Sequence, residues 1–226
     1  MMRKVIQYAK QKFYNLLDKI QLKRRKRVAQ EKAAQLKNKD FTLLSNNCNG
    51  GVILSELCVR FNSPFINLNI NPTDYVKYLK NLDYYSNLPI KVEFTDREYP
   101  IGMLGDLTIE FIHYHTCEEA EQKWIERTQR INKENMFIML TEQDDCTEEL
   151  VRAFDELAYE NKVVFTYKKY EDVKSAIYLE KFKDDPRGVH MFLNFENRIS
   201  VKRKFDCFDF VSWFNGQKDL NKLILE

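Results

Sequence analysis

The sequence predicts an α/β fold: a mainly parallel, Rossmann-like sheet with helices on both faces, preceded by a basic amphipathic N-terminal helix. Short apolar runs alternate with segments of helical periodicity from residue 41 onward, as in βαβ units. Charge is unevenly divided. Residues 1–39 hold 13 of the 36 basic and two of the 34 acidic residues, so this part carries +11 and the rest −9. We therefore expect a helical arm at 1–38 and a single α/β domain at 39–226 whose C-terminal part is less regular.

The arm is predicted from residues 2–36, which contain neither Pro nor Gly and are rich in good helix formers. Its apolar residues recur at three- and four-residue steps and form one stripe: Val5, Ile6, Ala9, Phe13, Leu16, Leu17 and Ile20. Three partners fit this pattern: an anionic membrane surface, the chain's own domain or a dimer partner, and nucleic acid. The stripe favours the membrane, because binding to phosphates alone does not need it.

Within the domain, apolar runs and turn residues predict the elements in order. Strands are expected at Phe41–Leu44, Pro64–Ile70, Ile90–Phe94, Leu107–Tyr114, Met136–Leu140 and Val163–Phe165, with the loop Tyr99–Asp106 before the fourth. Helices are expected at Val52–Phe61, after Asn71-Pro72, around Trp124 and Ile131, and at Thr147–Leu157. Three starts carry capping signals: Asn71 before Pro72, Thr116 with Glu119, and Asp145 with Glu148. Ser175–Glu180 and Val189–Asn194 are further strand candidates, and Phe205–Phe214 is an aromatic-rich helix or strand.

Composition excludes several classes of protein. With 44% hydrophobic and 31% charged residues, the chain can build a normal core and is not disordered. Five cysteines without a CxxC pair favour neither a disulfide framework nor a zinc knuckle. The basic start does not resemble a secretory signal, and no apolar run is long enough to span a bilayer. We expect a cytoplasmic protein, held peripherally on the inner leaflet of the plasma membrane if the arm binds lipid.

Polar side chains follow several of the predicted strands. Because ligands of α/β sheets bind beyond the carboxyl ends of the strands, these residues are expected to converge on one rim. The rim residues with a binding role are Ser45, Asn46, Asn47, Cys48, Gly50, Gly51, Asn69, Asn71 and Asp144. Their amides, hydroxyls and carboxylates suit a sugar or a nucleotide-sugar.

The loop Ser45–Gly51 is the sharpest local signal. Its paired glycines would let backbone N–H groups face a phosphate or an oxyanion at the start of the following helix. Cys48, at the same helix start, would have a lowered pKa and could act as a nucleophile. The alternative is a tight turn with a buried, inert cysteine.

His113 and His115 are the candidates for acid–base chemistry. Two residues apart on a predicted strand, they would share a face, and one imidazole could act as a general base oriented by Asp106, Asp144 or Asp145. Hydrogen-bonded or surface histidines are the alternative. No metal site is expected, because three ligands in one short strand rarely close a tetrahedral site.

The chain resembles a known family in several segments that together cover about residues 38–216. These segments are FTLLSNNCNGG, SPFINLNINPTDYVKYLKNLDYY, YPIGMLGDLTIEFIHY, KWIERTQRIN, MFIMLTEQDDCTEELVRAFDEL and FDFVSWFN. The family is a bacterial domain of unknown function whose members are labelled exopolysaccharide or capsular polysaccharide biosynthesis proteins, or acyltransferases. The resemblance implies a role in surface-glycan assembly and leaves the reaction open.

The residues and the resemblance together predict a transferase that acts on a sugar or a lipid-linked sugar. It would transfer an acyl or glycosyl group, with acyl-CoA or a nucleotide-sugar as the donor. His113 or His115 would take the proton from the sugar hydroxyl, and the Ser45–Gly51 loop would bind the phosphate or oxyanion. Two alternatives stay open: a non-catalytic glycan-binding or assembly module, and an esterase-type hydrolase.

Overall fold

Eight strands form two four-stranded sheets in the computed structural model, which describes residues 2–225 and, for residues 2–6, 8–10 and 13, the backbone alone. The strands are β1 (Thr42–Ser45), β2 (Asn69–Ile70), β3 (Lys91–Glu93), β4 (Ile101–Leu104), β5 (Leu107–Glu110), β6 (Met136–Thr141), β7 (Asn161–Thr166) and β8 (Ala176–Tyr178). The α-helices are α1 (Met2–Gln35), α2 (Asn49–Glu56), α3 (Pro72–Lys80), α4 (Leu82–Ser86), α5 (Cys117–Thr128), α6 (Glu148–Asp155) and α7 (Phe210–Phe214).

The first sheet is parallel and has the strand order β1-β6-β7-β8. Every residue of β1 and β6 is buried, as expected for parallel strands that are covered on both faces. The prediction of an α/β fold with a parallel sheet is thereby confirmed. The four strands follow one another across the sheet in chain order, without the reversal of order found in a Rossmann sheet.

The second sheet is antiparallel, with the order β2-β5-β4-β3, and corrects the prediction of one mainly parallel sheet. Its centre is a hairpin in which Gly105 and Asp106 form a two-residue turn between β4 and β5. Gly105 has a φ of +62°, a conformation that glycine adopts at little cost. Strand β4 lies within the segment Tyr99–Asp106 that the sequence analysis treats as a loop.

Two of the predicted helix starts are confirmed. Asn71 Oδ1 accepts a hydrogen bond from the Asp74 backbone N–H (2.9 Å), and Pro72 is the first residue of α3. Thr116 Oγ1 accepts from the Glu119 backbone N–H (3.1 Å) at the start of α5. Local side-chain chemistry therefore sets where these two helices begin.

For the third predicted helix start, the prediction of Asp145 as the capping residue is wrong. Helix α6 begins at Glu148, and its cap is Thr147, whose Oγ1 accepts from the Leu150 backbone N–H (3.4 Å). Asp145 lies two residues before this cap, so it cannot form the predicted capping box with Glu148. This leaves the Asp145 carboxylate outside the helix.

The C-terminal part is irregular, as predicted, but its elements differ in detail. Ser175–Glu180 contains β8. Val189–Asn194 consists of turns and bends, so the strand predicted there is wrong. Phe205–Phe214 is divided between a 3-10 helix at Lys204–Cys207 and α7, which makes the helical alternative the correct one.

The chain divides into two compact units. The larger unit comprises Asn38–Ser55 and Val59–His190 and contains both sheets. The smaller unit comprises Met1–Lys37, Glu56–Cys58 and Met191–Glu226. Among the residues described, no helix is both long and apolar enough to cross a membrane.

In the smaller unit, helix α1 packs through a row of side chains spaced four residues apart. This buried row consists of Gln21, Arg25, Ala29 and Ala33. Gln21 Nε2 donates to the backbone carbonyls of Asn197 (2.8 Å) and Ser200 (2.7 Å). The face of α1 that contacts the rest of its unit is therefore partly polar.

Arg25 lies at the centre of a partly buried charge cluster. Its guanidinium pairs with the carboxylates of Glu56 and Asp206. Lys32 Nζ lies 2.6 Å from Asp206 Oδ1, and Arg203 Nε lies 2.8 Å from Glu56 Oε1. We call these five residues the Arg25 cluster. It joins α1 to two distant parts of the chain.

Candidate functional site

A polar cavity of about 210 Å³ lies in the larger unit, beyond the carboxyl ends of β1 and β6 and beside the antiparallel sheet. Its polar lining residues are Asn46, Asn69, Asn71, Thr108, Glu110, Gln143, Asp144 and Asp145. We call this cavity the acidic cleft. Five of its residues belong to the predicted rim or to the predicted acid–base set, and they come together from three separate parts of the chain.

The wall formed by the end of β1 is held to the end of β6 by side-chain amides. Asn46 Oδ1 accepts from the backbone N–H (3.1 Å) and the hydroxyl (3.3 Å) of Thr141. Asn47 Nδ2 donates to Thr141 Oγ1 (2.6 Å), and Ser45 is fully buried. These hydrogen bonds thus hold Asn46 in place in the wall of the cleft. Ser45 and Asn47 do not line the cleft and have a structural role.

The opposite wall comes from β2, β5 and the start of α3. Asn69 Nδ2 donates to Glu110 Oε2 (2.8 Å), and the Tyr99 hydroxyl donates to Glu110 Oε1 (3.2 Å). Asn71 is oriented by Asp74, because its Nδ2 donates to Asp74 Oδ2 (2.9 Å) while its Oδ1 caps α3. These bonds fix amide and carboxylate groups that face the cavity.

The turn after β6 supplies the remaining carboxylates. Asp144 has a φ of +50°, its backbone N–H donates to the Arg187 carbonyl (3.1 Å), and its Oδ1 accepts from Arg187 Nε (2.9 Å). The pKa of Arg187 is raised by this hydrogen bond with Asp144. Within the described part of the chain, the exposed carboxylate of Asp145 has no hydrogen-bond or ion-pair partner.

The charge of the acidic cleft is therefore negative. Glu110, Asp144 and Asp145 line it. Among the side chains that the structure describes, Asp144 alone of the three has a cationic partner, Arg187, which is not itself part of the lining. Amide and carboxylate oxygens accept hydrogen bonds from hydroxyl or ammonium groups, whereas a phosphate would be repelled. No group of three or more metal-ligating side chains occurs among the residues that the structure describes.

Three lining residues were missed by the sequence analysis as site residues. Thr108 and Glu110 share one face of β5, where they alternate with the buried Leu107 and Ile109. The alternation of polar and apolar residues in β5 is visible in the sequence, but it identifies the face that lines the cavity only when the antiparallel partner strand is known. Gln143, in the turn after β6, is the third.

The predicted acid–base groups do not assemble. Strand β5 ends at Glu110, so His113 and His115 lie in the turn that follows and are exposed, not on a strand as predicted. Neither lines the acidic cleft. Asp106 lies in the hairpin turn at the other end of β5, and its hydrogen bonds from Lys77 and Tyr85 lower the pKa of its carboxyl. Asp106 is therefore not placed to orient either imidazole.

Of the Ser45–Gly51 loop, Asn46 alone lines the acidic cleft. Gly50 and Gly51 lie in the first turn of α2. A Cβ on Gly50 would lie 2.8 Å from Ser45 Cβ, so the close approach of α2 explains this glycine. A Cβ on Gly51 would make only ordinary contact, at 3.4 Å from Ile66 Cγ2, and the anion site predicted for the loop stays a prediction.

Cys48 is half-buried, and its thiol is not activated. Its Sγ lies 3.6 Å from the Leu68 carbonyl. Burial raises the pKa of the Cys48 thiol to about 11, and this effect outweighs any benefit from the start of α2. The prediction of a lowered pKa for Cys48 is wrong.

We expect Cys48 to react slowly with iodoacetamide under mildly alkaline conditions. Its raised pKa reduces the thiolate fraction about a hundredfold relative to an ordinary thiol. The rates at Cys48 and at the exposed Cys58 can be compared by mass spectrometry in the folded protein and in urea. The difference should vanish on unfolding, whereas equal rates in the folded protein would contradict the assigned burial.

Comparison with known proteins identifies a family and a relative. A family model described as a domain of unknown function, DUF1919, matches residues 19–215. An uncharacterized protein of Haemophilus influenzae is 42% identical over 181 residues, which are 80% of this chain and 87% of the relative. The match to the family model includes every residue that lines the acidic cleft.

Proposed function

Because the chain belongs to the family of domains of unknown function DUF1919, whose description assigns no activity, we propose its function from the acidic cleft. The protein binds the hydroxyl groups of a sugar in surface-glycan biosynthesis. The observation that carries this proposal is the lining of the cleft by oriented amides and carboxylates. The resemblance to exopolysaccharide and capsular polysaccharide proteins supplies the biological context.

The size of the cleft limits the ligand. Sites for drug-sized molecules usually measure about 300–1,000 Å³. At about 210 Å³, the acidic cleft suits a single sugar ring and is too small for a whole nucleotide-sugar or coenzyme A. A donor of either kind would extend beyond the cleft, so the cleft is assigned to the acceptor sugar.

The charge of the cleft limits the ligand further. Three carboxylates in the lining favour a neutral sugar or an amino sugar and disfavour uronic acids and sugar phosphates. The phosphate of a lipid-linked sugar would therefore lie outside the cleft. A cleft with this negative charge is not expected to bind nucleotide diphosphates.

Asp145 is the proposed general base for acyl or glycosyl transfer. Its carboxylate would accept the proton of a bound sugar hydroxyl, whose oxygen then forms the new bond to the donor as the donor's leaving group departs. Glu110 and Asp144 are held by Asn69, Tyr99 and Arg187 and are better suited to orienting the sugar. The histidines have no part in this scheme.

A non-catalytic glycan-binding module is the second candidate. It is favoured by the raised pKa of Cys48 and by the position of His113 and His115 outside the cleft lining. The ionisable groups of the described lining are then carboxylates, which are weak bases. The two candidates differ in the Asp145→Asn variant. A transferase would lose turnover while retaining sugar binding, whereas a binding module shows no turnover in either form.

We expect Asp145→Ala to weaken sugar binding about tenfold or more, because a hydrogen bond to a charged group contributes about 1.5–3 kcal/mol. Saturation-transfer NMR and calorimetry with methyl glycosides, amino sugars, uronic acids and sugar phosphates would measure it. The matched control is Glu134→Ala, an exposed carboxylate just before β6, at the opposite end of that strand. Tighter binding of sugar phosphates than of the neutral sugars would refute the proposal.

A further inference from the structure

Helix α1 has two different faces, and only one of them is used within its unit. The buried row (Gln21, Arg25, Ala29 and Ala33) faces the residues from Met191 onward. At 100° per residue, Leu16 and Ile20 lie about 180° from the middle of this row. They are 55% and 47% exposed. The apolar stripe seen in the sequence is thus not the face that packs on the smaller unit.

The exposed face carries cations beside its apolar side chains. Lys19, Lys23 and Arg24 are exposed around Leu16 and Ile20. In the sequence the same stripe continues with Val5, Ala9 and Phe13, whose side chains lie outside the described residues. Helix α1 contains two acidic residues. Asp18 is exposed but lies about 180° around the helix from Leu16 and Ile20, and Glu31 is paired with Arg27 at 3.3 Å. We call the surface around Leu16 and Ile20 the outer face of α1.

We propose that the outer face of α1 docks on an anionic lipid bilayer, with α1 lying in the plane of the membrane surface. Exposed aliphatic side chains bury themselves at the boundary of the acyl chains, while flanking lysines and arginines reach the anionic headgroups. The buried row keeps the opposite face of α1 attached to its own unit. The acidic cleft would then be held near acceptors that are carried on membrane lipids, but the docking does not depend on what the cleft binds.

The charge of the outer face selects lipid over two other partners. A second copy of the chain would bring two rows of cations together, and the repulsion would oppose pairing. A nucleic acid would neutralise the cations but leave Leu16 and Ile20 unused, since phosphates need no apolar contact. Only an anionic bilayer uses both kinds of side chain.

Vesicle flotation with the full chain tests this proposal. We expect binding to vesicles of equal parts phosphatidylcholine and phosphatidylglycerol and none to phosphatidylcholine alone. Ile20→Glu should weaken binding at least tenfold, because it removes a buried aliphatic contact and adds an anion. Lys19→Gln and Lys23→Gln should weaken it about fivefold each at low ionic strength.

Matched controls lie in the larger unit. Ile125 of α5 is 45% exposed, close to Ile20, so Ile125→Glu makes the same chemical change elsewhere and should leave binding unchanged. Lys169→Gln with Lys174→Gln is the corresponding control for charge. Circular dichroism and the emission of the buried Trp213 should be the same for Ile20→Glu and the wild type, because Ile20 faces away from its unit.

Equal vesicle binding by the wild type and Ile20→Glu would overturn the proposal, as would no binding to anionic vesicles. Without vesicle binding, a dimer that Ile20→Glu dissociates would assign the outer face to a second copy. Binding of duplex DNA that survives Ile20→Glu would assign it to nucleic acid. Sugar binding by the cleft is measured separately, so its failure is distinguishable from failure of membrane docking.

Discussion

Replacing Arg25 by methionine is expected to destabilise the smaller unit by about 3–5 kcal/mol. The side chain of Arg25 is 4% exposed and pairs with Glu56 and Asp206, so its removal leaves two carboxylates without their central cation. Lys32 still pairs with Asp206, and Arg203 still pairs with Glu56, but these two pairs do not replace the hydrogen bonds that Arg25 made. The cost is mainly that of the hydrogen bonds lost by two largely buried carboxylates, because each of them keeps one cation, Lys32 or Arg203.

Unfolding of the smaller unit can be followed by its own tryptophan. The chain has two tryptophans, Trp124 in the larger unit and Trp213 in the smaller one. Trp213 is buried against Phe208 and Phe210, with ring centroids 5.6 and 6.1 Å away. In a Trp124→Phe background, urea unfolding monitored by emission therefore reports the smaller unit.

Arg27→Met provides the matched control for Arg25→Met. Arg27 lies on the same helix, but its side chain is 83% exposed and pairs with Glu31 across one helical turn. Such surface pairs contribute about 0.3–0.5 kcal/mol. If the two variants had the same stability, the Arg25 cluster would not be the main attachment of α1.

The Arg25 cluster also makes the stability of the smaller unit depend on pH. Burial alone raises the pKa of Asp206, but hydrogen bonds from Arg25 and Lys32 outweigh it, so the folded-state pKa lies below the usual value. The resulting stability is complete above the unfolded-state value of about 4 and is lost as the pH falls through the folded-state pKa. This acid loss should be smaller in Arg25→Met, because the pKa of Asp206 is then less depressed.

The sequence predicted the parts of the fold that depend on local chemistry. The apolar run of β6 and the caps Asn71 and Thr116 are each set within a few residues, and all three were identified correctly. Strands were predicted around β2 and β3, but the antiparallel sheet was missed because their pairing with β5 and β4 is fixed by partners elsewhere in the chain.

The acidic cleft was predictable only in outline. The polar residues after β1 and β6 indicated the rim, but the pairing of Asn46 with Thr141 joins residues 95 positions apart. The neighbouring sequence does not distinguish Asn46, which faces the cavity, from Asn47, which donates a hydrogen bond to Thr141. Likewise, the apolar stripe of α1 did not indicate which face packs within the unit, because the buried face contains Gln21 and Arg25, whose partners are far away in the sequence.

Gly188→Ala is expected to destabilise the larger unit by about 2–5 kcal/mol. Gly188 has a φ of +69°, which costs alanine about 1–2 kcal/mol. A Cβ there would lie 2.4 Å from the Glu142 carbonyl oxygen and 2.8 Å from Tyr167 Cδ1, and overpacking of this kind costs about 1–3 kcal/mol more. The backbone oxygen cannot move aside, because it accepts the Val189 N–H at 2.8 Å.

The same substitution should weaken sugar binding. Gly188 pairs with Gln143, and its neighbour Arg187 holds Asp144, so a shift of this segment displaces two lining residues of the acidic cleft. The control is Gly105→Ala, which has nearly the same φ, +62°. Its Cβ would meet the flexible end of Leu88 at 3.0 Å and Tyr85 Cε1 at an ordinary 3.8 Å. In a Trp213→Phe background, emission of Trp124 reports unfolding of the larger unit. Gly105→Ala should lower the free energy of unfolding of this unit by about 1–2 kcal/mol and leave the sugar affinity unchanged. Equal losses of stability and of affinity in the two variants would show that backbone strain alone, and not the contact with Glu142, sets the effect of Gly188.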